Sequence, residues 1–258
     1  MMYKRVIFLG VISWLLMALS CRDQSPEGPV TNVDLQFVAT FGDQPLVMYD
    51  KYDYDDTTRV FFERFNFFIS DVSLVAAGSQ SETPLLEVDY ISFDEVQSVA
   101  AAEAGVRVQL TKVPVGSYAM LRIGVGVPAD LNVDADYSPT HPLGARKESH
   151  YWSGWGSYIF AKIEGKADTN GDDQYDDVAF SHHLGTNELY QNVELPVSLE
   201  LVEGQDGVVK VVVDVRKLYV RADGMLNLVE NPGTHTDSQL VVAKSIMDRF
   251  PFAMHIAP

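Results

Sequence analysis

Two short stretches of this 258-residue chain concentrate side chains that could do chemistry. The first is His150-Tyr151-Trp152-Ser153-Gly154-Trp155-Gly156-Ser157-Tyr158, an imidazole among tryptophans and tyrosines. The second is Phe180-Ser181-His182-His183-Leu184-Gly185-Thr186, with adjacent histidines. Neighbours on a regular strand point to opposite faces, so at most one of His182 and His183 faces a given site. An imidazole can ligate a metal, shuttle a proton or simply pack, and a histidine pair alone leaves one core and one surface residue as an equal reading. A hydrolase would use His182 or His183 as its base. The aromatic group Trp152, Trp155, Tyr151 and Tyr158 reads either as packing or as a platform that stacks on glycans or a protein partner.

A third stretch is acidic. Asp168-Thr169-Asn170-Gly171-Asp172-Asp173-Gln174-Tyr175-Asp176-Asp177 has the spacing of a calcium loop at its start, with Asp168, Asn170 and Asp172 at positions 1, 3 and 5 and Asp176 further on. Position 6 is Asp173 where glycine is expected, and position 12 is Ala179 where a closing glutamate is expected. A weak calcium site and an acidic hairpin tip are both open.

Composition narrows the field. Hydrophobic residues make up 47% and charged residues 21%, as in a folded domain rather than a disordered chain or a multi-span membrane protein. A net charge of −17 rules out coating nucleic acid through phosphate contacts. No phosphate-binding loop, nucleophile elbow, haem attachment motif or zincin helix motif is present.

The single cysteine has its own explanation. Lys4 and Arg5 precede an apolar run from Val6 to Leu19, which ends Ala18-Leu19-Ser20-Cys21. That reads as an export signal whose end resembles the lipobox of bacterial lipoproteins, in which case Cys21 would be acylated to anchor the chain to a membrane in the bacterial envelope, periplasmic or on the outer surface. Cleavage by the general signal peptidase, with Cys21 an ordinary residue, is the alternative. Residues 21–31 then read as anchor and tether, and 32–258 as one domain. Removing residues 1–20 takes away two basic residues and no acidic ones, leaving 238 residues and a charge of −19. With Cys21 lipidated no thiolate remains, so a soft metal would need histidine, methionine or a less usual ligand.

The elements that must position these groups read mostly as strands. Val33-Asp34-Leu35-Gln36-Phe37 alternates, as do Phe65 to Ile69, Leu86 to Tyr90, Val106 to Leu110, Ile123 to Val127, Val193 to Leu201 and Val209 to Val215. Period-two runs between turn residues predict an all-β fold, an antiparallel β-sandwich of immunoglobulin-like or jelly-roll-like type. Phe93–Ala104 predicts a short helix. Leu240, Ala243, Met247 and Phe250 predict a C-terminal one, with Thr236, Asp237 or Ser238 as cap. Residues 127–157 show no period and read as a long loop.

Several segments in order resemble one family. They are Phe68-Ile69-Ser70-Asp71-Val72-Ser73-Leu74, Gly116-Ser117-Tyr118 leading to Gly124-Val125-Gly126-Val127-Pro128, His150-Tyr151-Trp152 through Tyr158 to Ile163-Glu164-Gly165, and Phe180 to Thr186. Their order is similar to that of the MbnP-like proteins associated with methanobactin copper operons, which also occur as lipoproteins. The resemblance implies an exported, non-catalytic copper-binding protein. It also implies a dihaem peroxidase-like partner that oxidises a tryptophan to kynurenine, whose nitrogen could join imidazoles on copper. Carried over by position, Trp152 matches one family tryptophan, with His150 where methionine is usual, and Trp155 lies one place from the second. His183 matches the family histidine and His235 lies near another. Ala39 stands where many family members carry a first-strand histidine, so either His150 or His182 compensates or the site is degenerate.

Overall fold

The computed structural model describes residues 28–235 and 237–257. The export signal, Cys21 and Thr236 lie outside the described residues. The first strand, β1 (Val30–Phe41), already includes Val30 and Thr31, the last two residues of the predicted tether. The other main strands are β2 (Arg59–Ala76), β3 (Glu82–Ser92), β4 (Val106–Pro114), β5 (Gly116–Val125), β6 (Ser157–Asp168), β7 (Val178–Gly185), β8 (Gln191–Leu201), β9 (Gly207–Asp214) and β10 (Met254–Ile256). The described residues form a five-stranded sheet containing β10, β9, β1 and β4, an eight-stranded sheet with β7, β6, β2, β5 and β8 in that order, and a small hairpin. The β-sandwich expectation holds, with one correction: β1 and β9 run parallel, Val33 beside Gly207 through Thr40 beside Asp214.

The interlayer forms where the alternations meet. Leu35, Phe37, Ala39 and Phe41 of β1 face Phe62, Phe65 and Phe67 of β2, with Phe37 edge-on to Phe67 at 6.3 Å. β2 is buried on both faces through its middle, since Phe68 and Ser70 are as inaccessible as Phe67 and Ile69. Asp71, at φ 47°, sits where the register slips between Ser70 and Ser73, a bulge that re-aims the strand.

The cover over the second face comes from residues 127–157, and here the loop expectation is corrected. Pro142–His150 is a helix, α2, with Pro142 in its first turn and the His141 ring accepting from the Leu143 amide. Only Leu143 and His150 of it are buried, a spacing too sparse to register as a period. The predicted helix at Phe93–Ala104 shortens to α1 (Val99–Ala104), capped by Ser98 and ended by Gly105 at φ 63°, where a Cβ would strike the Phe37 carbonyl. Val215–Tyr219 forms α3, with Asp214 as cap. The C-terminal helix, α4 (Leu240–Met247), follows a 3-10 turn at Asp237–Gln239. Its cap residue is Gln239, with no side-chain cap bond; of the three predicted caps, Thr236 lies outside the described residues and Asp237 and Ser238 fall within the 3-10 turn. Among the described residues, no helix is long and apolar enough to cross a membrane.

Candidate functional site

The two histidines of β7 part as period two requires. His182 points into the interlayer, fully buried. Its Nε2 donates to the Asn231 carbonyl at 2.9 Å, and its Nδ1 accepts from the Tyr219 hydroxyl at 3.0 Å. Both nitrogens are thus committed, and burial pushes its pKa down to about 4. His182 is a core histidine, not an available ligand.

His183 faces the outer side of the eight-stranded sheet, among polar residues that register aligns. Ser181, Glu164 and Arg64 form one cross-strand row, and His183, Lys162 and Asn66 the next. A chain of hydrogen bonds and ion pairs crosses this face. His150 Nε2 donates to Asn66 Oδ1 at 3.1 Å, and Asn66 Nδ2 donates to Asp94 Oδ2 at 3.0 Å. Arg64 Nε lies 3.4 Å from Asp94, and its Nη1 lies 3.2 Å from both oxygens of Glu164. Glu164 Oε1 meets His183 Nε2 at 2.6 Å, and the Ser181 hydroxyl stands 3.2 Å from that nitrogen and 3.3 Å from His235 Nε2. The bond from His183, and secondarily Arg64, holds Glu164 below the usual carboxylate range.

His150 and His183 therefore share a face without sharing a site. Asn66 and Lys162 stand in register between His150 and His183, and strands are about 4.8 Å apart, too far for one ion to span. Lys162 is buried, its ammonium donating to the Ser149 carbonyl at the end of α2, and burial lowers its pKa. His150 is itself satisfied, with Ser149 at Nδ1 (2.8 Å) and Tyr90 near Nε2 (3.2 Å). Burial, reinforced by the Lys162, Arg146 and Arg64 cations, pushes it down to about 3. His150 is a locking residue for α2, which corrects its pairing with His183.

The neighbour His183 does have is His235, exposed, with ring centroids 4.6 Å apart and planes at 89°. Burial and His183 lower the pKa of His235. A cavity of about 80 Å³ beside His183 is walled by Trp155, Leu189, Leu240 and Ala243 among others. Trp155, not Trp152, is thus the tryptophan beside His183. Trp152 is 45% exposed, 6.0 Å from Trp155. The four-residue stacking platform does not assemble, because Tyr158 is fully buried, donating to the Leu143 carbonyl, and Tyr151 packs edge-on against it.

The hydrolase reading meets a geometric obstacle at His183. A serine–histidine–acid relay places the hydroxyl on one ring nitrogen and the acid on the other. Here Ser181 and Glu164 both meet Nε2, while Nδ1 is buried without a protein partner. As metal donors, His183 and His235 supply two imidazoles, a donor type that suits copper. Among the described residues, no group of three His, Cys, Asp or Glu is arranged to hold a metal ion. The pair fits copper as two nitrogen ligands and not as a fuller cage.

The acidic loop closes on itself. Asp168, 1% exposed, accepts from the amides of Asn170, Gly171 and Asp173 at 3.2, 2.7 and 2.9 Å. Asn170 and Asp172 accept from the Asp172 and Gln174 amides, and Asp177 from Thr169 and Asn170. Asp176 is exposed. The calcium expectation gains no support from this arrangement, which is a hairpin closed by its own backbone. Asp168→Ala is expected to cost about 2–4 kcal/mol by orphaning three amides. Calcium or a chelator should leave the wild-type melting temperature unchanged, and a rise of several degrees with calcium would refute the self-closed reading.

The face bearing these groups is built by β2, β6 and β7, and a family model covers all three. The model for MbnP matches residues 30–237. This chain belongs to the MbnP family. A solved structure, MbnP from Methylosinus trichosporium, is similar at 12% identity, covering 79% of this chain and 85% of that one, with a TM-score of 0.49. No curated protein matches the chain. Within the family frame, Ala39 stands where the resemblance expects a histidine, 1% exposed in the interlayer. That position lies in the interlayer with His182, whose two ring nitrogens are already bonded, and not on the face of His183.

Sequence reasoning missed Glu164, Arg64, Asp94, Asn66 and Lys162. One signal was available: Lys162 and Glu164 sit two apart on a strand whose alternate residues Ala161 and Ile163 are core, as do Ser181 and His183 on its neighbour.

Proposed function

We propose that this MbnP-family chain is a non-catalytic copper-binding lipoprotein of the bacterial envelope, held to the membrane through Cys21. His183 and His235 would supply the ligands. The observation that carries the proposal is the convergence of both Nε2 atoms on the Ser181 hydroxyl, at 3.2 and 3.3 Å, in a chain whose only thiol belongs to the lipobox. Two nitrogens and an apolar, tryptophan-walled cavity suit a soft ion tolerant of few ligands. A dihaem peroxidase-like partner, if it acts on this chain, would find Trp155 beside the ligand pair and Trp152 in solvent.

The test is titration of the metal-free exported domain with cuprous ion under reducing conditions, and separately with cupric ion. One equivalent is expected to bind, with at least tenfold weaker binding after His183→Ala or His235→Ala and none of that loss after His150→Gln. Stoichiometric binding that survives removal of both His183 and His235 would sink the proposal. Mass spectrometry of native material reads the lipid at Cys21 and oxidation of either tryptophan. The exposed Trp152 favours a second reading, a surface that docks on glycan or protein. Binding of that kind would ignore chelators and fail in Trp152→Ala.

A further inference from the structure

Glu164 has no role in the ligand pair, yet it occupies the very nitrogen a metal would need. Its Oε1 lies 2.6 Å from His183 Nε2, a charge-assisted length. His183 Nδ1 is buried and has no protein partner, so it offers an ion no approach. Arg64 Nη1 lies 3.2 Å from each Glu164 oxygen, and Arg64 is steadied in turn by Asp94. The carboxylate therefore has two places to rest, one on the imidazole and one on the guanidinium.

We infer that Glu164, held by Arg64, is a tautomer lock on His183: a positioning residue that keeps the ring proton on Nε2 and closes the metal-facing nitrogen until a ligand displaces the carboxylate onto Arg64. The imidazole keeps one proton throughout. In the closed form it sits on Nε2 and is donated to Glu164. In the open form Nε2 is a lone pair and the proton sits on Nδ1, gained while a local opening of the site exposes that nitrogen to solvent. The lock orders the site as well as closing it, because the same bond holds the His183 ring at right angles to His235. The open form is the part that rests on the copper reading; the closed form stands on the geometry of Glu164, Arg64 and His183.

Nitrogen-15 and proton NMR of the metal-free domain is the test. His183 is expected to show a downfield Nε2–H resonance that exchanges slowly with solvent, without need of any variant. Glu164→Leu should abolish that resonance. Arg64→Met, which leaves the carboxylate but frees it, should speed exchange by about tenfold, the loss of about 1.4 kcal/mol from the bond that protects the proton. Glu164→Asp should restore the resonance in part. Absence of a protected Nε2–H in wild type, or its persistence in Glu164→Leu, overturns the lock. Cuprous ion added to wild type should replace the Nε2–H signal with an Nδ1–H signal. If copper does not bind while the metal-free resonances behave as expected, the copper reading falls and the lock stands. If copper binds through His183 with the Nε2–H signal intact, the lock falls and the copper reading stands.

Discussion

Acid is expected to strip this domain of much of its stability well before its carboxylates are all protonated. His150 is neutral in the folded state, its pKa pushed from 6.5 to about 3, chiefly by burial and then by Lys162. Above pH 6.5 it is neutral in both states and has no effect. Below 6.5 the unfolded chain takes up a proton that the folded one refuses, so stability falls as pH falls, through the window from 6.5 to about 3. Each pH unit in that window costs about 1.4 kcal/mol, or about 2.7 kcal/mol between pH 6.5 and 4.5. His182, neutral for the same reason, shifts in the same direction. Urea unfolding at pH 7 and 4.5 reads the difference, and His150→Gln should flatten about half of it. A stability that stays level from pH 7 to 4.5 would show that the two imidazoles are not buried neutral.

The second large effect is at His182. His182→Ala is expected to cost about 3–5 kcal/mol at pH 7.5, joining a buried cavity to two stranded polar groups. The Tyr219 hydroxyl loses its acceptor and the Asn231 carbonyl its donor. Tyr219→Phe removes one of these, so in the double variant the two losses should fall short of additive by about 1 kcal/mol. A cost below about 1 kcal/mol for His182→Ala would mean that the Asn231–Thr234 segment docks on β7 without it. His235 follows that segment directly, so its docking on β7, by His182 to the Asn231 carbonyl, the Ser181 amide to the Pro232 carbonyl and the Thr234 hydroxyl to the His183 carbonyl, also places the exposed histidine.

What could be read in advance follows the range of the interactions. The strands were legible because each alternation lies within about ten residues, and the opposed facing of His182 and His183 follows from the same period. The helix α2 was not, since a helix with two buried positions leaves no stripe to detect, and the Pro142 start signal was submerged in a loop-like composition. The pairing of His150 with His183 failed because sequence places both near the same sheet but cannot say that Asn66 and Lys162 stand between them. Glu164 lies inside one of the family-like segments without a local sign of its role, because its partner lies on a different strand and only register brings them together. The parallel run of β1 beside β9 is the extreme case, joining residues with no local signal in common.

That long-range pairing has a consequence for how the molecule comes into being. Contacts such as Thr31 with Gln205 span 174 positions, so the β1–β9 pairing at the centre of the five-stranded layer joins strands from near the two ends of the domain. Closing so long a loop is entropically costly and slow relative to forming local hairpins. In a chain that emerges N-terminus first, β1 has no β9 to join until nearly the whole domain has appeared, and Met254–Ile256 covers the outer edge of β9 last of all. The eight-stranded layer, built from strands closer in sequence, can form first and wait. During that interval the hydrophobic face of β1 is the vulnerable surface, and its nearest stopgap is β4, already paired antiparallel along its other edge.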